Sequence, residues 1–173
     1  METKTNTLKK AVIGMILSVV LIVIDQMTKL MAIHGLMNQQ PFVILDGIFE
    51  LHYLENRGAA FGILQGKKAF FIIFTILVLA FIAYIYLKRI PDEKKFHLLD
   101  GICILFFAGA VGNFIDRVFR NYVVDFFYFK LIDFPIFNVA DIYVTVAAFA
   151  MIILGLFYYK EDDYNKIFPA KKK

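Results

Sequence analysis

Five aspartates, Asp25, Asp116, Asp125, Asp133 and Asp141, have the most chemical reach in this chain. Two carboxylates held close together can share one proton. One accepts a proton from water while the other donates to a carbonyl oxygen, and an amide is hydrolysed without metal or covalent intermediate. Other routes to hydrolysis lack parts. Ser18 is the only serine and lies in the middle of an apolar run, a poor place for a hydroxyl nucleophile. Cys103, the only cysteine, also sits in an apolar run with no histidine nearby. It reads as a small packing residue, and no intrachain disulfide is possible. His34, His52 and His97 lack metal-ligand spacing and there is no His-Glu-x-x-His, so neither metal nor cofactor is expected.

Around the aspartates the spacing is helical. Asp25 and Lys29 stand at i, i+4 with the acid first, a good ion pair. Asn113 and Arg117 share that spacing, with Asp116 beside them and Arg117 as its expected counter-charge. Asn138 is placed to cap a helix, which puts Asp141 at the third helical position, where an acid suits the dipole. Each feature has a plain structural reading: an ion pair that locks a helix, a buried polar network, a cap. Asp125 in a loop would ordinarily be solvated. Asp125 and Asp141 have no local cation and are joined by a loop that lets them approach. On the residues alone that preference is weak, and the choice of pair stays open.

The elements that must position these groups are membrane spans. Of the 173 residues 60% are hydrophobic, and the mean hydropathy is +0.68. Apolar runs at about 11–33, 69–89, 96–117 and 139–159 each hold about twenty residues, enough to cross ~30 Å of hydrocarbon. A cleaved signal peptide is the lesser reading of the first run, which lacks a small-residue cleavage site. Net charge is +4, but the Lys and Arg residues bracket the apolar runs and build no basic face, which argues against nucleic acid. They concentrate in the N-terminal tail (Lys4, Lys9, Lys10), the middle loop (Lys88, Arg89, Lys94, Lys95) and the C-terminal tail (Lys160, Lys166, Lys171, Lys172, Lys173). Both termini are therefore expected in the cytoplasm. The outer loops are then 34–68 and 118–138. Phe42 to Leu54, with Asp46-Gly47 in its middle, reads as a hairpin on the outer surface; the aromatic second loop is expected to rest in the interface.

The expectation is an all-α integral membrane protein, four transmembrane helices with a small extracytoplasmic β-sheet, forming a single membrane domain over 1–173. In that topology Asp25, Lys29, Asn56, Arg57, Asn113, Asp116, Arg117, Asp125, Asn138 and Asp141 all approach one level, the outer leaflet. Ionisable groups inside a bilayer are costly and mark function by default.

Five segments carry a resemblance: Asp25-Gln26-Met27-Thr28-Lys29, Asn56-Arg57-Gly58-Ala59-Ala60-Phe61, Gly109 to Arg117 (GAVGNFIDR), Val123-Val124-Asp125-Phe126 and Phe137-Asn138-Val139-Ala140-Asp141. In this order, and at these places among four spans, they resemble the lipoprotein signal peptidase (signal peptidase II) family over about residues 20 to 147. The resemblance implies an aspartyl endopeptidase of the bacterial cytoplasmic membrane that cleaves diacylglyceryl-modified prolipoproteins just before the lipidated lipobox cysteine. It implies that Asp125 and Asp141 are catalytic. Asn56, Asn113, Arg117 and Asn138 would position substrate and carboxylates, Asp25 and Lys29 would brace the site, and Asp116 would partner a neighbouring polar group. Gly58 and Gly109 would allow close backbone approach, and the sheet would form a cradle over the substrate. Ala147 departs from the pattern, since many members have Gly there. The expected partners are prolipoprotein substrates and membrane lipid, with the enzyme a monomer.

Two rivals make different demands. A transporter or channel needs a polar path across the bilayer, yet the inner halves of the spans are nearly free of charge apart from Asp100 near the end of its span, and no repeated half is visible. A membrane scaffold would tolerate Asn at both Asp125 and Asp141.

Overall fold

The computed structural model describes residues 2–58 and 66–169. Ala59, Ala60 and Phe61 of the second quoted segment, and Lys171 to Lys173 of the tail, lie outside the described residues. Four helices are long and apolar enough to cross a membrane. They are α1 (Glu2–Leu36, apolar from Thr7), α2 (Lys68–Tyr84, continued by a π turn at Ile85–Arg89), α3 (His97–Phe119, entered through a 3-10 turn at Lys94–Phe96) and α4 (Val139–Phe157). Each coincides with an expected span, α1 starting earlier because its polar first turns stay helical. Their outward faces are apolar and exposed, as on α2 at Phe70, Ile73, Phe74, Leu77 and Phe81. Lipid tails are the medium such a surface fits.

A three-stranded antiparallel sheet covers one end of the bundle. Its strands are β1 (Phe42–Leu45), β2 (Phe49–Asn56) and β3 (Val123–Tyr128), in the order β1-β2-β3. The expected hairpin is present, with Gly47 at φ 68° in its turn, a conformation glycine adopts without strain. The second loop differs from expectation. It enters the sheet as β3, and Val123, Val124, Asp125 and Phe126 are all buried. β3 pairs with β2 along its edge, and Val124 and Phe126 on one of its faces pack with Ala32 at the end of α1. A 3-10 turn at Lys130–Ile132 and the pairing of Phe127 with Phe137 return the chain to α4, so the connection is ordered rather than loose.

At the opposite end, Phe96 stacks on Tyr159 beside Ile90, Cys103 and Ile167. Cys103 is the packing residue its apolar run suggested. A short helix, α5 (Glu161–Ile167), closes this end. Asp100, in the first turn of α3, pairs with Lys10 at 2.7 Å.

Helix α3 packs against α1, α2 and α4, and it approaches α4 and α1 closely at two glycines. A Cβ on Gly109 would stand 2.6 Å from the carbonyl oxygen of Ala140 and 2.7 Å from Val144 Cγ2. One on Gly112 would stand 2.5 Å from Asp25 Oδ2. Small residues let membrane helices approach this closely; Ala108, Ala140 and Ala147 are fully buried on α3 and α4. Ala147 is thus small enough for this contact. Because Ala140 O is backbone, Gly109→Ala must push α4 away. The expected cost is about 1–3 kcal/mol, read as a lowered melting temperature in detergent, with activity falling because Asp141 rides on α4.

Candidate active site

Most of the polar residues singled out in the sequence meet beneath the sheet, where α1 and α3 end and α4 begins; Arg57 does not, and pairs with Glu55 at 2.9 Å on the exposed side. Asp141 arrives through a cap. Asn138 Oδ1 accepts from the Asp141 amide at 3.0 Å, and the Asn138 amide donates to Asp141 Oδ2 at 3.1 Å, a closed capping box. Asp141 Oδ1 accepts from Asn113 Nδ2 at 2.8 Å.

Asp125 arrives through the sheet. Leu51 faces Phe127 but Leu54 faces Asp125, so β2 carries one extra residue between them. That bulge sets which face the last residues of β2 present. Beyond it, Asn56 lies diagonal to Asp125 on the same face, and its Nδ2 donates to Asp125 Oδ2 at 2.9 Å. Without the extra residue Asn56 would point to the other side. The other oxygen, Asp125 Oδ1, accepts from Asn138 Nδ2 at 2.6 Å. One asparagine therefore touches both carboxylates, with its backbone on Asp141 and its side chain on Asp125.

A second tier lies deeper. Lys29 is wholly buried and uses its three protons on Asp25 Oδ2 (2.9 Å), Asp116 Oδ2 (3.2 Å) and Asn113 Oδ1 (2.8 Å). The same Asn113 Oδ1 accepts from Asn138 Nδ2 at 3.1 Å. The expected pairing of Asp116 with Arg117 is not what forms. Adjacent helical residues point about 100° apart, and Asp116 pairs instead with Lys29 and, one turn on, with Arg120. Arg117 turns toward the groove. Its Nη2 donates to the Gly58 carbonyl at 3.1 Å, and its guanidinium lies 4.7 Å from the Phe71 ring centroid. Gly58 is held in turn by its amide, which donates to Asn56 Oδ1 at 2.9 Å.

Asp133 is apart from this cluster. It sits at φ 47° in the exposed return loop and accepts from Tyr128 Oη at 2.6 Å. The geometry thus separates Asp133 from Asp125 and Asp141 where the residues alone did not. Two participants were not singled out: Gln26, whose amide reaches Asp25 and Asp116, and Arg120. Gln26 lies inside a quoted segment. For Arg120 the available signal was its i, i+4 spacing from Asp116.

The carboxylates open on a groove of about 570 Å³. Its walls are apolar, with Leu54, Val123, Phe134, Ile136, Val144 and Val146 among them. Among the described residues no group of His, Cys, Asp and Glu is arranged to hold a metal ion. In this setting the Asp125 carboxyl is pushed up to about 7. Burial is the main cause and the charge of Asp141 adds to it; the Asn56 and Asn138 hydrogen bonds and the Lys29 charge oppose it. The pair therefore holds a proton at acid pH that it gives up near neutrality. A reaction that needs one proton on the pair should lose rate as pH rises past that point. In a kcat/KM profile the alkaline limb is expected near neutrality, and Asn56→Ala, which removes a hydrogen bond to the ionised form, should move it upward.

Comparison with known proteins shows the family and the fold. The family profile described as signal peptidase (SPase) II matches residues 17–157. A lipoprotein signal peptidase of Streptococcus thermophilus (strain CNRZ 1066) is 43% identical over 143 residues, 83% of this chain and 90% of that protein. One from Streptococcus pyogenes serotype M5 (strain Manfredo) is 39% identical over 151 residues, 87% of this chain and 95% of that protein. Two solved structures, described as bacterial membrane enzymes determined in meso at 2.3 and 1.9 Å resolution, share the fold. The first has a TM-score of 0.72 and 32% identity over 92% of this chain and 93% of that one. The second has 0.73 and 35% over 84% and 94%.

Proposed function

The chain belongs to the signal peptidase II family of membrane peptidases, and from that premise we propose that it is an aspartyl endopeptidase that frees diacylglyceryl-modified prolipoproteins of their signal peptides. Cleavage falls before the lipidated lipobox cysteine. Asp125 and Asp141 are the reacting pair, and the observation that carries this is their shared grip on Asn138 in an apolar-walled groove.

In this mechanism the two carboxyls share one proton, and the step begins with it on Asp125. Asp141 takes a proton from a water molecule as its oxygen attacks the scissile carbonyl, and Asp125 gives its proton to the carbonyl oxygen. Collapse of the tetrahedral intermediate breaks the C–N bond. The proton gained by Asp141 passes to the leaving cysteine nitrogen, and the gem-diol proton returns to Asp125, which restores the starting state. Arg117 and Asn56 line the groove and position the substrate backbone, while the apolar walls receive the lipid and signal segment.

The lysine distribution supports cytoplasmic termini, so the sheet end faces outward. A cysteine anchored by its diacylglycerol in the outer leaflet then brings its scissile bond to the level of the aspartates. The chain works as a monomer and one membrane domain.

The test is cleavage of a lipobox peptide with a diacylglyceryl cysteine by purified protein in detergent, beside the non-lipidated peptide and with a chelator. Lipid-dependent cleavage that the chelator leaves intact is expected. Absence of cleavage by folded protein would overturn the reading.

A further inference from the structure

Two buried acids each hold a backbone amide one residue before a reacting aspartate. Asp25 Oδ1 accepts from the Ala140 amide at 2.9 Å, and Asp141 is next in the chain. Asp116 Oδ2 accepts from the Val124 amide at 3.0 Å, and Asp125 is next in the chain. The positions of α4 and β3, and hence of the two reacting carboxylates, are fixed through Asp25 and Asp116. The spacing of those two acids therefore contributes to the spacing of the reacting pair, beside the Asn138 cap and the pairing of β3 with β2.

Lys29 is one bridge between them. Gln26, one turn earlier on the same helix, is a second. Its Nε2 lies 3.2 Å from Asp25 Oδ2, 3.3 Å from Asp116 Oδ1 and 3.1 Å from the Gly112 carbonyl. Its Oε1 accepts from Arg120 Nη1 at 3.1 Å, and that nitrogen also pairs with Asp116. Chemistry fixes the orientation of this amide: the reverse would set Oε1 against two carboxylates and Nε2 against a guanidinium. A neutral residue is also required. Asp25 and Asp116 are balanced by Lys29 and Arg120, and a charge at position 26 would stand unpaired beside four buried or part-buried ones.

Resting on the reading of Asp125 and Asp141 as the reacting pair, we propose that Gln26 and Arg120 are positioning residues that clamp Asp25 to Asp116 and thereby set the distance between the two reacting carboxylates. Neither touches the substrate groove. They act through the acids and the two amides, and a small widening of the clamp is passed to both α4 and β3. Misplacement of reacting groups by about an ångström costs on the order of a hundredfold in rate.

Gln26→Met keeps the length and removes both polar ends. Arg120→Met removes the clamp from its more exposed side, and Arg120→Lys restores the charge. With each folded protein, kcat, KM and the pH profile of lipidated-peptide cleavage are measured, with the melting temperature alongside. For both Met variants kcat is expected to fall about ten- to a hundredfold with KM within about twofold. The alkaline limb should shift, because the influence of Asp141 on Asp125 depends on their separation. Arg120→Lys should recover part of kcat. If Gln26→Met does not fold, Arg120→Met decides the matter. Folded Met variants with lower melting temperatures but wild-type kcat and pH profile would overturn the proposal, leaving a merely structural clamp. That result is distinct from failure of the underlying reading, in which wild-type protein itself does not cleave or Asp125→Asn remains active.

Discussion

Replacing Asp125 or Asp141 with Asn is expected to lower kcat by about ten-thousand-fold, the upper range for loss of a general acid or base. The double variant should be little worse than either single one, since the two carboxylates act as a unit. KM should change little, because shape and apolar walls are kept. Each oxygen of the pair accepts a hydrogen bond: Asp125 from Asn56 and Asn138, Asp141 from Asn113 and the Asn138 amide. An Asn at either place turns one donor against another, at a cost of about 1–3 kcal/mol. Melting temperature must therefore be followed beside activity. Asp133→Asn is the matched control. Its carboxylate meets Tyr128 in the exposed return loop, and full activity is expected. Retained cleavage in Asp125→Asn or Asp141→Asn would remove that residue from the mechanism.

The largest effect on stability is expected at Lys29. Its ammonium sits between Asp25, Asp116 and Asn113 with no exposed surface. Lys29→Met keeps the length of the stem but removes the shared counter-charge of two buried acids. Breaking a buried pair by removing one partner costs about 3–5 kcal/mol, and here one cation serves two anions. A large drop in melting temperature and near-complete loss of cleavage are expected, because the amides before Asp125 and Asp141 lose their anchors. Adding Asp25→Asn and Asp116→Asn should recover part of the stability, since the damage lies in the uncompensated charge. If Lys29→Met melts like wild type, the deep tier is not what holds the site together.

Much of this architecture was legible in the sequence. Spans are written in long apolar runs, and lysine placement writes their direction. Convergence of the polar residues at one level then follows from topology alone. The cap at Asn138 and the Asp25–Lys29 pair are local and were readable for that reason. The third strand was not: Val123 to Tyr128 has no turn partner of its own, and its aromatic side chains suit an interface as well as a sheet. What makes it a strand is β2, about seventy residues earlier in the chain. The partner of Asp116 was misread because adjacency in sequence was taken for adjacency in space. On a helix Arg120 is the neighbour and Arg117 is not. The bulge that brings Asn56 onto the face of Asp125 is a property of strand pairing and leaves no mark in composition.

The spacing of the buried charges also bears on how this protein is made. Before the bundle assembles, each helix must enter the bilayer by itself, and a lone charge there costs about 2.5–3.5 kcal/mol. Asp25 on α1 carries Lys29 four residues ahead, and Asp116 on α3 carries Arg120 four residues ahead. The Asp25–Lys29 stretch of α1 can therefore enter the membrane locally neutral, and on α3 the charge of Asp116 is offset within one turn. Only when α1 and α3 meet does Lys29 reach across to Asp116 and join the two private pairs into one. The same contacts that hold the finished enzyme serve earlier as escorts, letting charged residues cross the threshold of the membrane before their final partners exist.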